Sequence, residues 1–201
     1  MLHTDQRFSD AVAAAVATIE ASTDAEIVVV AAPRSGSYRD LALTAAGVIT
    51  LAALGGFLFM PWEVAPLGVL VETALVAVVS AWLLDGNVPI RLLARAARME
   101  EQVQLAAAAE FHREAVHATP NRTGLLVYVS ALEQQVVLIP DVGLDARIPR
   151  GAFAGARRDL HHADLDHFLS GLTKVGALLA AHVPKRADDA IDLPNAPRIR
   201  S

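Results

Sequence analysis

Leu41–Met60 reads LALTAAGVITLAALGGFLFM and Leu67–Leu84 reads LGVLVETALVAVVSAWLL, and the architecture of the whole chain turns on these two stretches. The first runs for 20 residues without a charge. At about 1.5 Å per residue that length crosses a hydrocarbon core of about 30 Å. The second is slightly shorter and carries one acid, Glu72, with Trp62 and Trp82 near the ends where interfacial aromatic rings belong. The segment Pro61-Trp62-Glu63-Val64-Ala65-Pro66 leaves room only for a tight turn between them. A transmembrane helical hairpin over residues 41–84 is predicted. A buried soluble helix pair is the competing reading, and both the length and the lack of charge count against it.

Basic residues set the orientation. Arg34 and Arg39 precede the first span and Arg91, Arg95 and Arg98 follow the second, whereas the turn has no Lys or Arg. Both flanks are therefore expected in the cytoplasm. The opening MLHTDQRFSDAV has no basic start leading into an apolar run, so nothing in it reads as a cleavable signal peptide.

The composition agrees. Of 201 residues, 54% are hydrophobic and 19% charged, with a mean hydropathy of +0.39, against about 45–50% and about 25% in soluble chains. The surplus lies in the first half. A net charge of -5 and 5% aromatic residues leave neither a basic field nor stacking platforms for nucleic acid. Without cysteine there is no disulfide, no thiolate nucleophile and no cysteine zinc site.

Outside the hairpin the pattern is mixed α and β. Phe8, Val12, Val16 and Ile19 lie on one face of a helix over residues 4–21. Ala25–Ala32 (AEIVVVAA) is a strand rich in β-branched residues. Asp85–Pro89 ends the second span, and a long helix from about Pro89 to Ala118 follows. Thr123–Ser130 (TGLLVYVS) and Gln134–Ile139 (QQVVLI) form a hairpin around Glu133. A short helix over 153–160 and a firmer one over 165–182 precede an irregular tail from Pro184. A lone two-stranded hairpin is marginal in water and a lone strand cannot satisfy its own backbone, yet the charge argument puts all three strands on one side of the membrane. They are expected to share one mixed sheet, the first two parallel and the third antiparallel. The division is thus 1–40 (helix and first strand), 41–84 (membrane hairpin), 85–183 (rest of the α/β domain) and 184–201 (irregular tail).

AEIVVVAAPRSGSYRD, the paired spans, RTGLLVYVSALEQQVVLIPDVGLDARIP and the closing LLAAHVP with LPNAPR together resemble the two-span bacterial branch of the TPM-domain membrane proteins. Most specific is Ile139-Pro140-Asp141-Val142-Gly143-Leu144-Asp145, similar to that family's strand followed by a Gly-Leu-acidic turn. The resemblance implies a small sheet of three or four strands flanked by helices. It implies acid phosphatase activity in some relatives, calcium binding in others, and frequent company with LemA-type envelope proteins. This chain departs from the family in lacking the acidic opening of secreted members and in a domain expected to face the cytoplasm.

The same topology gathers Asp24, Arg122, Asp141 and Asp145 at the membrane-distal end of the sheet. One reading makes Asp24, Asp141 and Asp145 ligands for Ca²⁺ or Mg²⁺, with Gly143 permitting a tight turn around the ion. The other is a solvated ionic rim that Arg122 neutralises. HHADLDH (161–167) offers zinc-ligand types, but with no second cluster and a helix start at hand it reads as surface and helix-capping residues. No GxGxxG, P-loop, HExxH or nucleophile-elbow motif occurs. Asn121-Arg122-Thr123 fits a glycosylation sequon, without meaning on a cytoplasmic face. Arg91, Arg95 and Arg98 can meet anionic lipid headgroups. Glu72 is either functional, as intramembrane acids commonly are, or a contact to the first span or an oligomer partner. Ala52 and Gly56, a small pair four apart, would let the first span approach closely.

The expected protein is an integral inner-membrane protein with both termini cytoplasmic. It would act as a binding or assembly module, in contact with the bilayer and with a membrane-protein partner or further copies of itself, and not with nucleic acid. The alternative is a metal-dependent, phosphatase-like hydrolase whose distal acids hold Ca²⁺ or Mg²⁺.

Overall fold

The computed structural model describes residues 6–59, 65–119, 121–149, 151–160, 164–185 and 195–200. Trp62, the turn around Glu63, and His161 and His162 lie outside the described residues. In chain order the elements are α1 (Gln6–Glu20), β1 (Glu26–Ala32), α2 (Arg39–Leu58), α3 (Pro66–Leu84), α4 (Asn87–Leu93), α5 (Ala96–Arg113), β2 (Gly124–Ser130), β3 (Gln135–Pro140), α6 (Val142–Asp145), α7 (Phe153–Leu160), α8 (Leu165–His182) and β4 (Arg198–Ile199). They fall into two compact units, Met1–Ser35 with Glu100–Ser201, and Gly36–Met99.

The first unit is an α/β sandwich around a four-stranded sheet in the order β3-β2-β1-β4. β1 and β2 pair in parallel from Glu26↔Gly124 to Ala32↔Ser130, and β3 runs antiparallel to β2, as expected. All seven residues of each parallel strand are buried, because helices cover both faces; this is why both strands read as near-continuous apolar runs. Ile27, Val29 and Ala31, with Leu125, Val127 and Val129, pack against Phe8, Val12 and Val16 of α1 and Phe168, Leu172 and Val175 of α8. Val28 and Val30, with Leu126 and Tyr128, pack against Val103 and Ala107 of α5 and against Val116. Each large side chain so buried contributes about 1.5–3 kcal/mol.

Three elements differ from the sequence expectation. The helix expected from Pro89 to Ala118 is interrupted where Ala94 takes an extended conformation between α4 and α5, and it ends at Arg113 before a single 3₁₀ turn, Val116–Ala118. Asp141 opens a short helix, α6, by accepting the Val142 amide. The tail expected to be irregular instead supplies β4, parallel to β1 with Val30↔Arg198 and Ala31↔Ile199 in register. Side chains that this strand sends to α5 hold it there, as described below.

β4 covers only part of the outer edge of β1. Further along that edge the Ile27 amide donates to Oε1 of Glu20 at 2.9 Å, so a side chain substitutes for a neighbouring strand. Glu20 is 2% exposed. Burial, aided by the charge of Glu26, pushes its carboxyl up to about 7 against the opposing Ile27 hydrogen bond and Lys185.

The second unit holds α2, α3 and α4. The two long helices have mean hydropathies of 2.0 and 2.2, and only 11% and 6% of their most apolar windows are buried. Leu51, Leu70, Val78 and Trp82 are among the side chains left open. Both helices are long and apolar enough to cross a membrane. Beside Gly56 a methyl group would meet nothing within 4 Å, so the expected close approach through Ala52 and Gly56 does not occur between α2 and α3.

Glu20 gives a signed pH dependence. Its folded-state pKa lies above its ordinary value, so the native state holds an extra proton between about pH 4.5 and 7. Stability is then fully present at the acid end of that window and falls as the pH rises through it, by up to about 3 kcal/mol. Glu20→Gln retains the acceptor for Ile27 and should flatten the dependence, leaving the variant the more stable protein at pH 8. Melts of both proteins in one detergent from pH 5 to 8 check this; parallel curves would contradict it.

Candidate functional site

The end of the sheet where β1 and β2 begin brings together part of the acid cluster expected there. The Thr123 hydroxyl donates to the Asp24 carbonyl at 2.9 Å, and Glu26 N donates to the Thr123 carbonyl at 3.3 Å. Arg122 grips Asp141 through two parallel bonds, Nε to Oδ2 at 2.6 Å and Nη2 to Oδ1 at 2.9 Å. Asp141 also accepts the Val142 amide at 2.8 Å. Burial works to raise the Asp141 carboxyl, but Arg122 and the Val142 amide together hold it below the usual carboxylate range. Asp24 and Asp141 are buried, whereas Asp145 is exposed. Among the described residues no three His, Asp or Glu side chains gather closely enough to hold a metal ion.

Gly143 sits where the chain leaves no room for a side chain. Its amide donates to the Arg122 carbonyl at 2.9 Å, and a Cβ there would stand 2.5 Å from the carbonyl oxygens of both Asn121 and Arg122. Arg122 itself has φ 56°. The glycine thus lets α6 close onto the 121–122 turn, which aims Arg122 at the helix cap.

The opposite end of the parallel strands holds a polar cluster that sequence reading missed. The Ser35 amide donates to both carboxylate oxygens of Glu133, at 3.1 and 3.2 Å. The Ser35 hydroxyl donates to that of Ser130 at 2.6 Å, and Ser130 in turn donates to Glu133. Tyr128 joins through its hydroxyl, 3.0 Å from that of Ser35. Burial raises the Tyr128 phenol, and the nearby charges of Glu133 and Glu110 add to it against Ser35 and Arg200. A chain of hydroxyls ending on a buried carboxylate ties the exit of β1 to the β2–β3 turn. Only the nearness of Ser35, Ser130 and Glu133 to strand ends could have signalled it.

Other candidates stand apart. Glu72 is exposed on α3. Arg91 and Arg95 are exposed, while Arg98 forms a two-bond ion pair with Asp40 at 2.8 and 2.9 Å and lies over the Tyr38 ring, 5.6 Å from its centroid. In HHADLDH, Asp164 caps α8 by accepting the His167 amide at 2.8 Å, in keeping with the capping role. Between α2 and α3 a groove of about 450 Å³ is lined by Ile49, Leu75, Val76, Val79 and Leu83, with Ser80 bonded back to its own helix.

No family model and no curated protein matches the chain. A solved structure does: the NMR structure of BA42 protein from the psychrophilic bacterium Bizionia argentinensis matches over 98% of this chain and 94% of its own, with a TM-score of 0.58 at 16% sequence identity. That likeness is one of fold.

Asp141→Asn keeps an acceptor for the cap but removes the charge that Arg122 grips, and should cost about 1 kcal/mol at pH 7. Because the folded carboxyl titrates below its ordinary value, this contribution is present at neutral pH and fades as the pH drops through that lowered value. The gap between variant and wild type should therefore close in acid. Urea unfolding at pH 7 and at pH 3 reads it, and equal stability at pH 7 would mean that the pair contributes nothing.

Proposed function

We propose that the chain is an inner-membrane protein of the TPM type whose α2–α3 hairpin spans the bilayer twice, and whose α/β unit works in the cytoplasm as a binding or assembly module. The pairing of β1 with β2 supports a single location for the sequences on either side of the hairpin. Arg34, Arg39, Arg91, Arg95 and Arg98, against a turn without Lys or Arg, support the cytoplasm as that location. Glu72 then sits within the bilayer on an exposed helix surface, where a partner helix or a further copy would relieve its cost.

The observation that favours a binding module over a hydrolase is the Arg122–Asp141 pair. A carboxylate already neutralised by a guanidinium on both oxygens is poorly placed to carry a divalent cation, because the adjoining positive charge repels the ion. A hydrolase using Asp24, Asp141 and Asp145 would have to overcome that repulsion before any phosphoryl group could be polarised.

The native chain has no cysteine, so single-cysteine variants at positions 10, 63 and 190 each report one location. A membrane-impermeant thiol reagent on intact cells should label only position 63; labelling of position 10 or 190 would refute the topology. Calorimetry with Ca²⁺ and Mg²⁺ should register no binding by the purified protein. Turnover of a phosphomonoester that needs added divalent metal and vanishes in Asp141→Asn would establish the hydrolase instead.

A further inference from the structure

β4 is a minimal strand. Two residues pair with β1, and the Arg200 amide adds one more bond, to the Ala31 carbonyl at 2.8 Å. Its hold comes from side chains. Arg198 Nε lies 2.9 Å from Glu114 Oε2. Arg200 Nη2 lies 2.6 Å from Glu110 Oε2 and also pairs with Glu114, while Arg113 closes on Glu110 at 2.6 Å. The guanidinium of Arg200 is raised above its ordinary range, first by its bond to Glu110 and then by Glu114.

The two spacings match. Residues two apart on a strand point the same way and lie about 6.6 Å apart, and residues four apart on a helix lie about 6 Å apart along its axis. Arg198 at the start of β4 and Arg200 just past its end therefore meet Glu110 of α5 and Glu114, which continues the last turn of that helix through its amide bond to the Glu110 carbonyl. The outer edge of β1 together with this acidic pair is a built receptor for an extended segment with two arginines in alternate positions. In the described chain its own C-terminal segment occupies it.

We propose that this receptor also takes the C-terminal segment of a second copy, so that two chains exchange Arg198–Arg200 reciprocally and are joined by strand addition. Charge complementarity selects the occupant: every copy carries both the arginine pair and the glutamate pair, and exchange preserves each bond made in the single chain. Arg200 is 32% exposed, and water reaching a charged pair weakens it. Residues 186–194 join Lys185, whose amide and ammonium are tied to the carbonyls of Ser22 and Glu20, to the segment that moves. Nine residues reach at most about 30 Å, enough to pass to a neighbouring molecule. The inference rests on the assembly reading given above, in which copies confined to one membrane meet at raised effective concentration.

The test uses full-length chains and the absence of native cysteine. Ala31→Cys and Ile199→Cys, which fall in register across the β1–β4 pair, are introduced into separate copies and co-expressed. Oxidation in native membranes should give a disulfide-linked species of twice the 21.3 kDa chain mass, and adding Glu110→Gln and Glu114→Gln to the Ala31→Cys copy should reduce it several-fold. A mixture that stays at single-chain mass, while the chain with both cysteines closes internally, would overturn the proposal. A second measurement covers the case in which that disulfide does not form. One tagged copy carries Glu110→Arg and Glu114→Arg, and the other carries Arg198→Glu and Arg200→Glu. Each repels its own tail and fits only the other's, so the two should co-purify from mild detergent at least several-fold above a pair of wild-type tags; no enrichment would overturn the proposal. Thiol labelling of the cytoplasmic and outer positions reads the topology separately, so exchange can fail while the membrane reading stands.

Discussion

A parallel pair of adjacent strands cannot be joined by a turn; the chain has to leave the sheet, travel back and enter again in the same direction. Here the return trip contains α2 and α3, two helices long and apolar enough to cross a membrane. The seven-residue register between β1 and β2 therefore imposes a parity rule. Whatever boundary the insertion crosses, it crosses an even number of times, since both strands must end in the same compartment. A single span or a third one at this point of the sequence would be incompatible with the sheet.

The sheet is finished by side chains to an unusual degree. On the outer edge of β1, Glu20 receives an amide that a longer strand would have taken, and two arginines carry a strand too short to hold by its backbone alone. Unprotected edges invite pairing with other chains, and charged groups placed along this one restrict what can add to it. At the exit of β1, Ser35 and Ser130 converge on Glu133, fixing the direction in which the chain leaves. At the strand starts Arg122 and Asp141 do the same for the 121–122 turn and α6. Each polar group sits where a strand ends, and the apolar cores lie between them.

Much of this was legible in the sequence because it is written in local periodicity. The face of α1, the two buried strands, the β2–β3 hairpin and the two apolar helices all follow from spacing and residue type alone. The parallel pairing followed from a second step, the need to give a lone strand neighbours. What escaped depends on partners distant in the chain. Pro-Arg-Ile-Arg has no strand character of its own, and becomes β4 only because Glu110 and Glu114, some 84 to 90 positions earlier, present a matching pair. The Ser35–Glu133 contact spans 98 positions. Asp24 and Asp141 both lie at the end where β1 and β2 begin, as the topology implies, but whether an acid there faces another acid or an arginine is a matter of side-chain geometry. The interruption at Ala94 has no breaker residue in Leu92–Arg95 to announce it.

The distance between β1 and its partner also has a meaning in time. Glu26 pairs with Gly124, so synthesis must proceed through 98 further residues before the register can begin to form. At about 5–20 residues per second that is a delay on the order of 5 to 20 seconds, during which EIVVVAA has no β2 to join. The two apolar helices leave the ribosome within this interval, while the waiting strand still has no partner. A chain built in this order needs its first strand shielded until the second arrives, by α1 folded over it or by a chaperone. The acid at the end of α1, already within reach of the Ile27 amide, is the first native partner that strand can find.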